Sequence, residues 1–258
     1  MKDASPQTIY LTDYTPPTYL VDQVDLTFRL SPNATRVISR IAFRPNPDAV
    51  SKRFFLHGEE LTPISSSIDG TPVTPREVEG GIEVDVPDAP FVWEAEVEIA
   101  PAANTALEGL YMSNGMYCTQ CEAEGFRKIT WYPDRPDVMA PFKVRIEGDE
   151  PVMLSNGNPT ASGDGWTEWT DPWPKPAYLF ALVAGDLVAR EDSFTTMSGK
   201  HVDLKLWVRP GDEGKTAFGM EALKKSMKWD EDVYGREYDL DIFQIVAVSD
   251  FNMGAMEN

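Results

Sequence analysis

The stretch Phe91-Val-Trp-Glu-Ala-Glu-Val-Glu-Ile99 sets an apolar side chain at every second position and a glutamate at most positions between. Successive side chains of a strand point to opposite faces, so Phe91, Trp93, Ala95, Val97 and Ile99 fall on one side and Glu94, Glu96 and Glu98 on the other. The same period appears upstream. Val24, Leu26, Phe28 and Leu30 alternate with Asp25, Thr27 and Arg29, and Ile82, Val84 and Val86 alternate with Glu83 and Asp85. One buried and one wet face is the signature of half-buried antiparallel strands. Pro45 to Asp48, Asp69-Gly70, Glu79 to Gly81 and Pro87-Asp88 supply turns between them. Further runs at Phe142 to Ile146, Trp166 to Trp169 and Tyr178 to Leu187 extend the pattern. A mostly β fold follows for residues 1–189: a large antiparallel β-sandwich or saddle. The first fifteen or so residues, polar and followed by Pro16-Pro17, read as a clamped or frayed arm.

From Arg190 the rhythm changes. His201 to Val208 alternates Val202, Leu204, Leu206 and Val208 against polar neighbours and Trp207, and Pro210-Gly211-Asp212 stops it. Gly214 to Tyr234 carries Met220, Leu223, Met227 and Tyr234 at helical spacing, with Gly235 as the stop. Leu240 to Val248 is an apolar run with the composition of a largely buried strand. Strand, helix, strand make residues 190–258 the opening of an α/β unit. A domain rarely stops just past such a strand, so the chain reads as the front of a longer polypeptide.

Composition narrows the function. The 258 residues carry 42 Asp plus Glu against 23 Lys plus Arg, a formal charge of −19. That disfavours nucleic acid and anionic membrane surfaces and favours the amino end of a peptide. No run of apolar residues is long enough to span a bilayer, and the first twenty residues lack the apolar core of a secretory signal, so a cytoplasmic location is expected. Cys118 and Cys121 form a lone CxxC, far in sequence from His57 and His201, and are expected to be a reduced, structural pair.

Between Gly109 and Pro136 the alternation breaks, and the stretch reads as a loop projecting from the β scaffold, where binding residues tend to sit. It carries Gln120, Glu122, Glu124, Arg127, Asp134 and Arg135; Glu124, Asp134 and the two arginines suit Arg–carboxylate forks that pin the loop. Ser155-Asn-Gly-Asn-Pro159 reads as a hairpin or tight turn, since Asn-Gly favours type I′. Trp166, Trp169 and Trp173 with prolines 172, 174 and 176 read as aromatic–proline packing at a domain edge. On local pattern alone Glu257 is a solvent-facing loop carboxylate.

Gly254 to Asn258 spells GAMEN, and three longer blocks precede it: PAANTALEGLY (101–111), CTQCEAEGFR (118–127) and YLFALVAGD (178–186). Together they resemble the M1-type (gluzincin) zinc aminopeptidases, the aminopeptidase N family, and within it the bacterial alanyl aminopeptidase subgroup. The resemblance implies a β domain followed by the start of a thermolysin-like catalytic domain, truncated before the zinc-binding helix. It implies a metalloprotease, a hydrolase that releases amino-terminal residues from peptides with broad specificity and a preference for alanine. Glu257 would bind the free α-amino group, with Gln120 and Glu122 completing that pocket. The backbone around Gly254 and Ala255 would contact the peptide, Met256 and Asn258 belong to the same substrate-binding motif, and Met253 would form the wall for the first side chain. Zn²⁺, held by two His and one Glu, the general base and a transition-state tyrosine would all follow GAMEN.

No HExxH occurs in these residues, so neither a cofactor nor a catalytic residue is expected among them, and the 258 residues alone are expected to be inactive. The expected partners are peptide substrates with a free amino terminus, and the protein is expected to be a monomer. Two alternatives stay open: a non-catalytic peptide-binding or scaffold module, and a related epoxide hydrolase, against which GAMEN and the CTQCEAEGFR block argue.

Overall fold

The alternation at residues 91–99 does form a strand, Phe91–Ile99, whose odd-numbered side chains are all buried. In the computed structural model, which describes residue 8 and residues 10–258, this strand lies between Thr35–Pro45 and Thr62–Ile68. The full sheet has eight strands. Tyr19–Arg29 sits beside Thr35–Pro45, and next to it come Met139–Glu147, Trp166–Pro176 and Asn158–Gly163; Thr71–Pro72 closes the opposite edge. All neighbours are antiparallel except Tyr19–Arg29 and Met139–Glu147, which run parallel with Phe28 opposite Ile146. A long crossover must join two parallel neighbours, and here the intervening chain adds four strands to the large sheet, builds all of one smaller sheet and contributes two strands to another.

One is a three-stranded patch of Phe55–His57, Gly81–Glu83 and Arg76–Val78. The other has four strands in the order Val152–Ser155, Leu182–Gly185, Met116–Gln120, Gly109–Ser113. The buried apolar residues of the three sheets form one core. Its centre is aromatic: Phe180 packs on Phe126 at 5.3 Å between ring centroids and stacks on Phe28 at 5.8 Å. Burial of this kind is the main favourable term for such a fold.

Val188–Thr195, His201–Val208 and Ile242–Val246 form a further sheet, with the last two parallel and the helix Ala217–Tyr234 between them. Val202, Leu204, Leu206 and Val208 bury one face against Met220, Leu223 and Met227, as a second core. Gly235 ends the helix in the left-handed conformation at φ 61°, its N–H returning to the Glu231 carbonyl.

Several expectations need correction. Tyr234 is exposed rather than on the buried helix face, and the helix begins at Ala217 after a short 3₁₀ turn at Glu213–Lys215. Ile242–Val246 is shorter than the apolar run and pairs on one side only within the described residues, so of its five side chains only Ile242 is fully buried. Val84 and Val86 are only partly buried and lie outside the strand. Of the three tryptophans, Trp169 is in the core, Trp166 is covered by the Arg145 guanidinium at 4.0 Å, and Trp173 is half exposed. Most of the polar arm lies outside the described residues; where it is described, Arg135 holds the Thr15 carbonyl at 2.8 Å.

Candidate functional site

The stretch 109–136, expected as a projecting loop, begins instead as a buried hairpin. Gly109–Ser113 and Met116–Gln120 pair antiparallel, with Ser113 opposite Met116 and Gly109 opposite Gln120. Asn114 and Gly115 turn it, both at positive φ (49° and 86°), as a type I′ turn requires. Past Gln120 the chain folds back through Gly125, whose N–H donates to the Cys121 carbonyl at 2.8 Å. A Cβ on Gly125 would lie 2.6 Å from the Gln120 carbonyl oxygen and 2.9 Å from the Gly109 nitrogen, so only glycine lets this turn close against the hairpin. Cys118 and Cys121 are free and buried, and burial pushes both thiols above their ordinary range.

On the turn's far side the charged groups are engaged within the chain, although the buried Tyr132 hydroxyl has no partner among the described residues. Asp134 accepts bonds from the Arg127 backbone N–H at 3.1 Å and from its Nε at 3.2 Å, while Arg127 Nη2 donates to the Asp134 carbonyl. Burial raises the Asp134 carboxyl, and these Arg127 contacts oppose that rise. Glu124 lies 3.4 Å from the same guanidinium. The forks expected at Glu124, Asp134 and Arg127 therefore form, whereas Arg135 pairs with Asp137. His57 joins this side: its Nδ1 accepts from the Asp134 N–H at 3.1 Å, and it exchanges backbone bonds with Tyr132. Burial first, and the Arg127 charge second, lower the His57 pKa to about 4.

The near side is different. Gln120 is 0% exposed, and neither atom of its side-chain amide has a hydrogen-bond partner among the described residues. Glu122, half-buried, is not among the carboxylates that Arg127 engages.

Residues 252–258 come to this end of the sheet. Asn252 Nδ2 donates to the Leu107 carbonyl at 2.9 Å, just before the strand Gly109–Ser113. Asn258 Nδ2 donates to the Leu179 carbonyl at 3.2 Å, just before Leu182–Gly185. Those two strands flank Met116–Gln120 and run antiparallel to it, with Cys118 opposite both Tyr111 and Val183. Both ties are therefore at the end where Gln120 lies, and the chain between Asn252 and Asn258 crosses that end. Met253, Gly254, Ala255 and Glu257 are exposed there and Met256 is half-buried. No atom comes within 4 Å of a Cβ built on Gly254, so packing within the described residues does not demand glycine at that position.

The residues present do not fit a metal. Among the described residues no three His, Cys, Asp or Glu side chains group as ligands. His57 spends Nδ1 on a backbone N–H, and His201 stands exposed beside Asp203 on another sheet. Among the described residues no helix is long and apolar enough to cross a membrane.

Sequence reasoning missed the contacts that dock the tail. Tyr111, Ser113 and Arg209 all reach residues 249–250, across separations of 40 to 139 positions. The one local signal it passed over was Asn114-Gly115, which marks the hairpin.

The family model described as Peptidase M1 N-terminal domain matches residues 23–179. Over its whole length the chain is 51% identical to aminopeptidase N of Caulobacter vibrioides, and over 98% of it 48% identical to aminopeptidase N of Escherichia coli K12. It covers 31% and 30% of those proteins, so it spans about a third of the relatives it matches. Among solved structures, Legionella pneumophila aminopeptidase A in complex with aspartic acid superposes with a TM-score of 0.86 at 32% identity, over 95% of this chain and 30% of that one. The mostly β architecture, the blocks around Gln120 and Glu122 and these matches agree, and the chain belongs to the peptidase M1 family, of which it carries the N-terminal domain.

Proposed function

We propose that this chain is the amine-recognition side of a zinc-dependent aminopeptidase that removes amino-terminal residues, alanine preferred, from peptides. One observation carries the reading: at the sheet end crossed by residues 252–258, the Gln120 amide is wholly buried without a partner among the described residues. A fold ordinarily satisfies such a group, and an orphaned amide two residues from Glu122, which has no ion pair among the described residues, supports a place for a ligand with N–H donors. An ammonium set against Glu122 and Glu257, with the Gln120 carbonyl beside them, would satisfy its three donors and exclude a blocked terminus. Gly254, Ala255, Met256 and Asn258 would offer main-chain contacts to an extended peptide. Exposed Met253, unbranched and adaptable, suits the wall for varied first side chains.

The zinc ligands and the groups that act on the carbonyl would belong to a part of the polypeptide outside these residues, since no fitting donor set occurs among the described residues. The metal would supply an activated water, and this chain's task is to place the first carbonyl. We also propose residues 1–189 as the β domain and 190–258 as the start of the catalytic domain, in a monomeric, cytoplasmic enzyme.

Single Glu122→Gln and Glu257→Gln variants of the complete polypeptide test the reading. Each is expected to lower kcat/KM for a free alanyl substrate by about 2–5 kcal/mol in transition-state stabilisation, with the loss in kcat as well as KM. If Glu122→Gln leaves kcat/KM unchanged, Glu122 is not in the pocket; if both do, the amine site lies elsewhere.

A further inference from the structure

Strand Ile242–Val246 is tied to the β sheets at both of its ends, and the two ties differ in what they hold. Before the strand, Asp241 and Asn158 exchange two hydrogen bonds, at 2.8 and 3.1 Å, on an exposed surface. After it, Asp250 is gripped by the buried hairpin strand Gly109–Ser113. Tyr111 Oη donates to the Asp250 carbonyl at 2.8 Å, Ser113 Oγ donates to its carboxylate at 2.8 Å, and its N–H donates back to Ser113 Oγ at 3.2 Å. The serine hydroxyl is thus donor and acceptor at once. Arg209, just past the strand His201–Val208, closes the arrangement by donating to the Ser113 carbonyl at 3.1 Å and to Ser249 Oγ. Tyr111 and Ser113 are both 0% exposed. Burial holds the Tyr111 phenol above its ordinary range, so it remains a donor at any working pH.

The geometry points to Tyr111, Ser113 and Asp250 as positioning residues that set where the segment 253–258 crosses the sheet end carrying Gln120 and Glu122. Ser113 and Gln120 belong to one hairpin, on strands in direct register. The clamp therefore refers the tail to the same rigid piece that carries the buried amide, and not to the tail's own sheet. Asp250 stands three residues before Met253, so freedom at the clamp passes directly into the segment. Geometry at a reacting centre is sensitive to displacements of about 1 Å, which makes such a reference useful. This inference rests on the proposed amine site, and its test has a readout that does not.

In the complete polypeptide, Ser113→Ala and Tyr111→Phe each remove hydroxyl bonds to Asp250 with little change in volume; two separate variants keep the test open if one fails to fold. Amide hydrogen exchange is measured over residues 251–258, and kcat and KM are measured with alanyl p-nitroanilide. Each variant is expected to speed exchange in that segment about tenfold, the effect of a lost buried hydrogen bond, and to lower kcat/KM by a similar factor. Asn158→Ala, which cuts the other tie, is expected to lower the melting temperature while leaving both readouts in place. Unchanged exchange over 251–258 in both hydroxyl variants overturns the clamp. Faster exchange with unchanged kcat/KM, in an enzyme that Glu257→Gln does impair, overturns the positioning role. If Glu257→Gln has no effect, the amine reading fails by itself and the exchange result still decides whether the clamp orders the tail.

Discussion

The turn that follows the hairpin has two sides, and they treat their polar groups in opposite ways. On the side of Arg127, Asp134 and His57, guanidinium, carboxylate and imidazole nitrogen are all engaged within the chain. A few residues away, Gln120 is buried as deeply with both amide atoms unpaired, and Glu122 stands outside Arg127's set of partners. Unpaired burial costs free energy, and Gln120 is the one side chain in this fold with both atoms of its amide left so, where Arg36, Trp93 and Tyr132 each leave a single atom unpaired among the described residues. The engagement of the charged groups, more than burial, separates the side that holds the turn from the side of Gln120 and Glu122; a single unpaired atom does not, since Tyr132 Oη on the first side is buried without a partner as well.

The contrast breaks most sharply at Asp134. Asp134→Ala leaves the Arg127 guanidinium buried beside a lost carboxylate, and an expected loss of about 3–5 kcal/mol should appear in urea unfolding. A loss no larger than that of an ordinary surface substitution, about 0.5 kcal/mol, would mean that this side is not what holds the turn. Gly125→Ala comes next. Its Cβ meets backbone atoms of Gln120 and Gly109, which cannot swing away, so about 1–3 kcal/mol of overpacking is expected, with amine recognition disturbed as well because Gln120 must move. A variant that lost stability and kept its preference for free amines would uncouple the two sides.

His57 gives a smaller, pH-dependent signal. The folded state lowers its pKa from 6.5 to about 4, so between those values the unfolded chain binds a proton that the folded chain does not. Its contribution to stability is complete above about pH 6.5 and falls away as the pH drops toward 4. His57→Asn retains an acceptor for the Asp134 N–H and is expected to flatten that part of the stability profile. Parallel profiles for the two proteins would show that His57 is not held neutral. The smallest effect on stability belongs to Gln120→Leu, which removes an amide that has no partner to lose: no change, or a gain of up to about 1 kcal/mol, is expected beside a clear drop in kcat/KM. A large destabilisation there would place Gln120 with the structural groups and erase the contrast.

How far local sequence can be trusted is visible in two identical dipeptides. Asn114-Gly115 makes the type I′ hairpin that Asn-Gly favours, with both residues at positive φ. Asn156-Gly157 reads as a hairpin or tight turn, and it is no hairpin, because Val152–Ser155 and Asn158–Gly163 belong to different sheets. There only Gly157 takes positive φ, and a Cβ on it would lie 2.2 Å from the Thr170 carbonyl oxygen. The Asn156 side chain is bound instead to Leu179 and Ala181. Tertiary partners displaced the local preference at one position and left it alone at the other.

Alternation of period two was enough to place strands at 91–99 and 201–208 with their inward faces, and the inward Val24, Leu26 and Phe28 of the strand Tyr19–Arg29, though not that strand's start or its end before Leu30, because side-chain direction in a strand is a local property. Helical spacing and Gly235 did the same for the helix, and the motif blocks pointed to Gln120, Glu122 and the tail. What they could not supply was the crossing of residues 252–258 over one sheet end, the orphaned state of the Gln120 amide, or the grip of Ser113 and Tyr111 on Asp250. The crossing and the grip depend on groups 79 to 145 residues apart meeting within hydrogen-bond distance, and the orphaned amide on which groups the same folding leaves out of its reach; only the pairing of strands into sheets decides either.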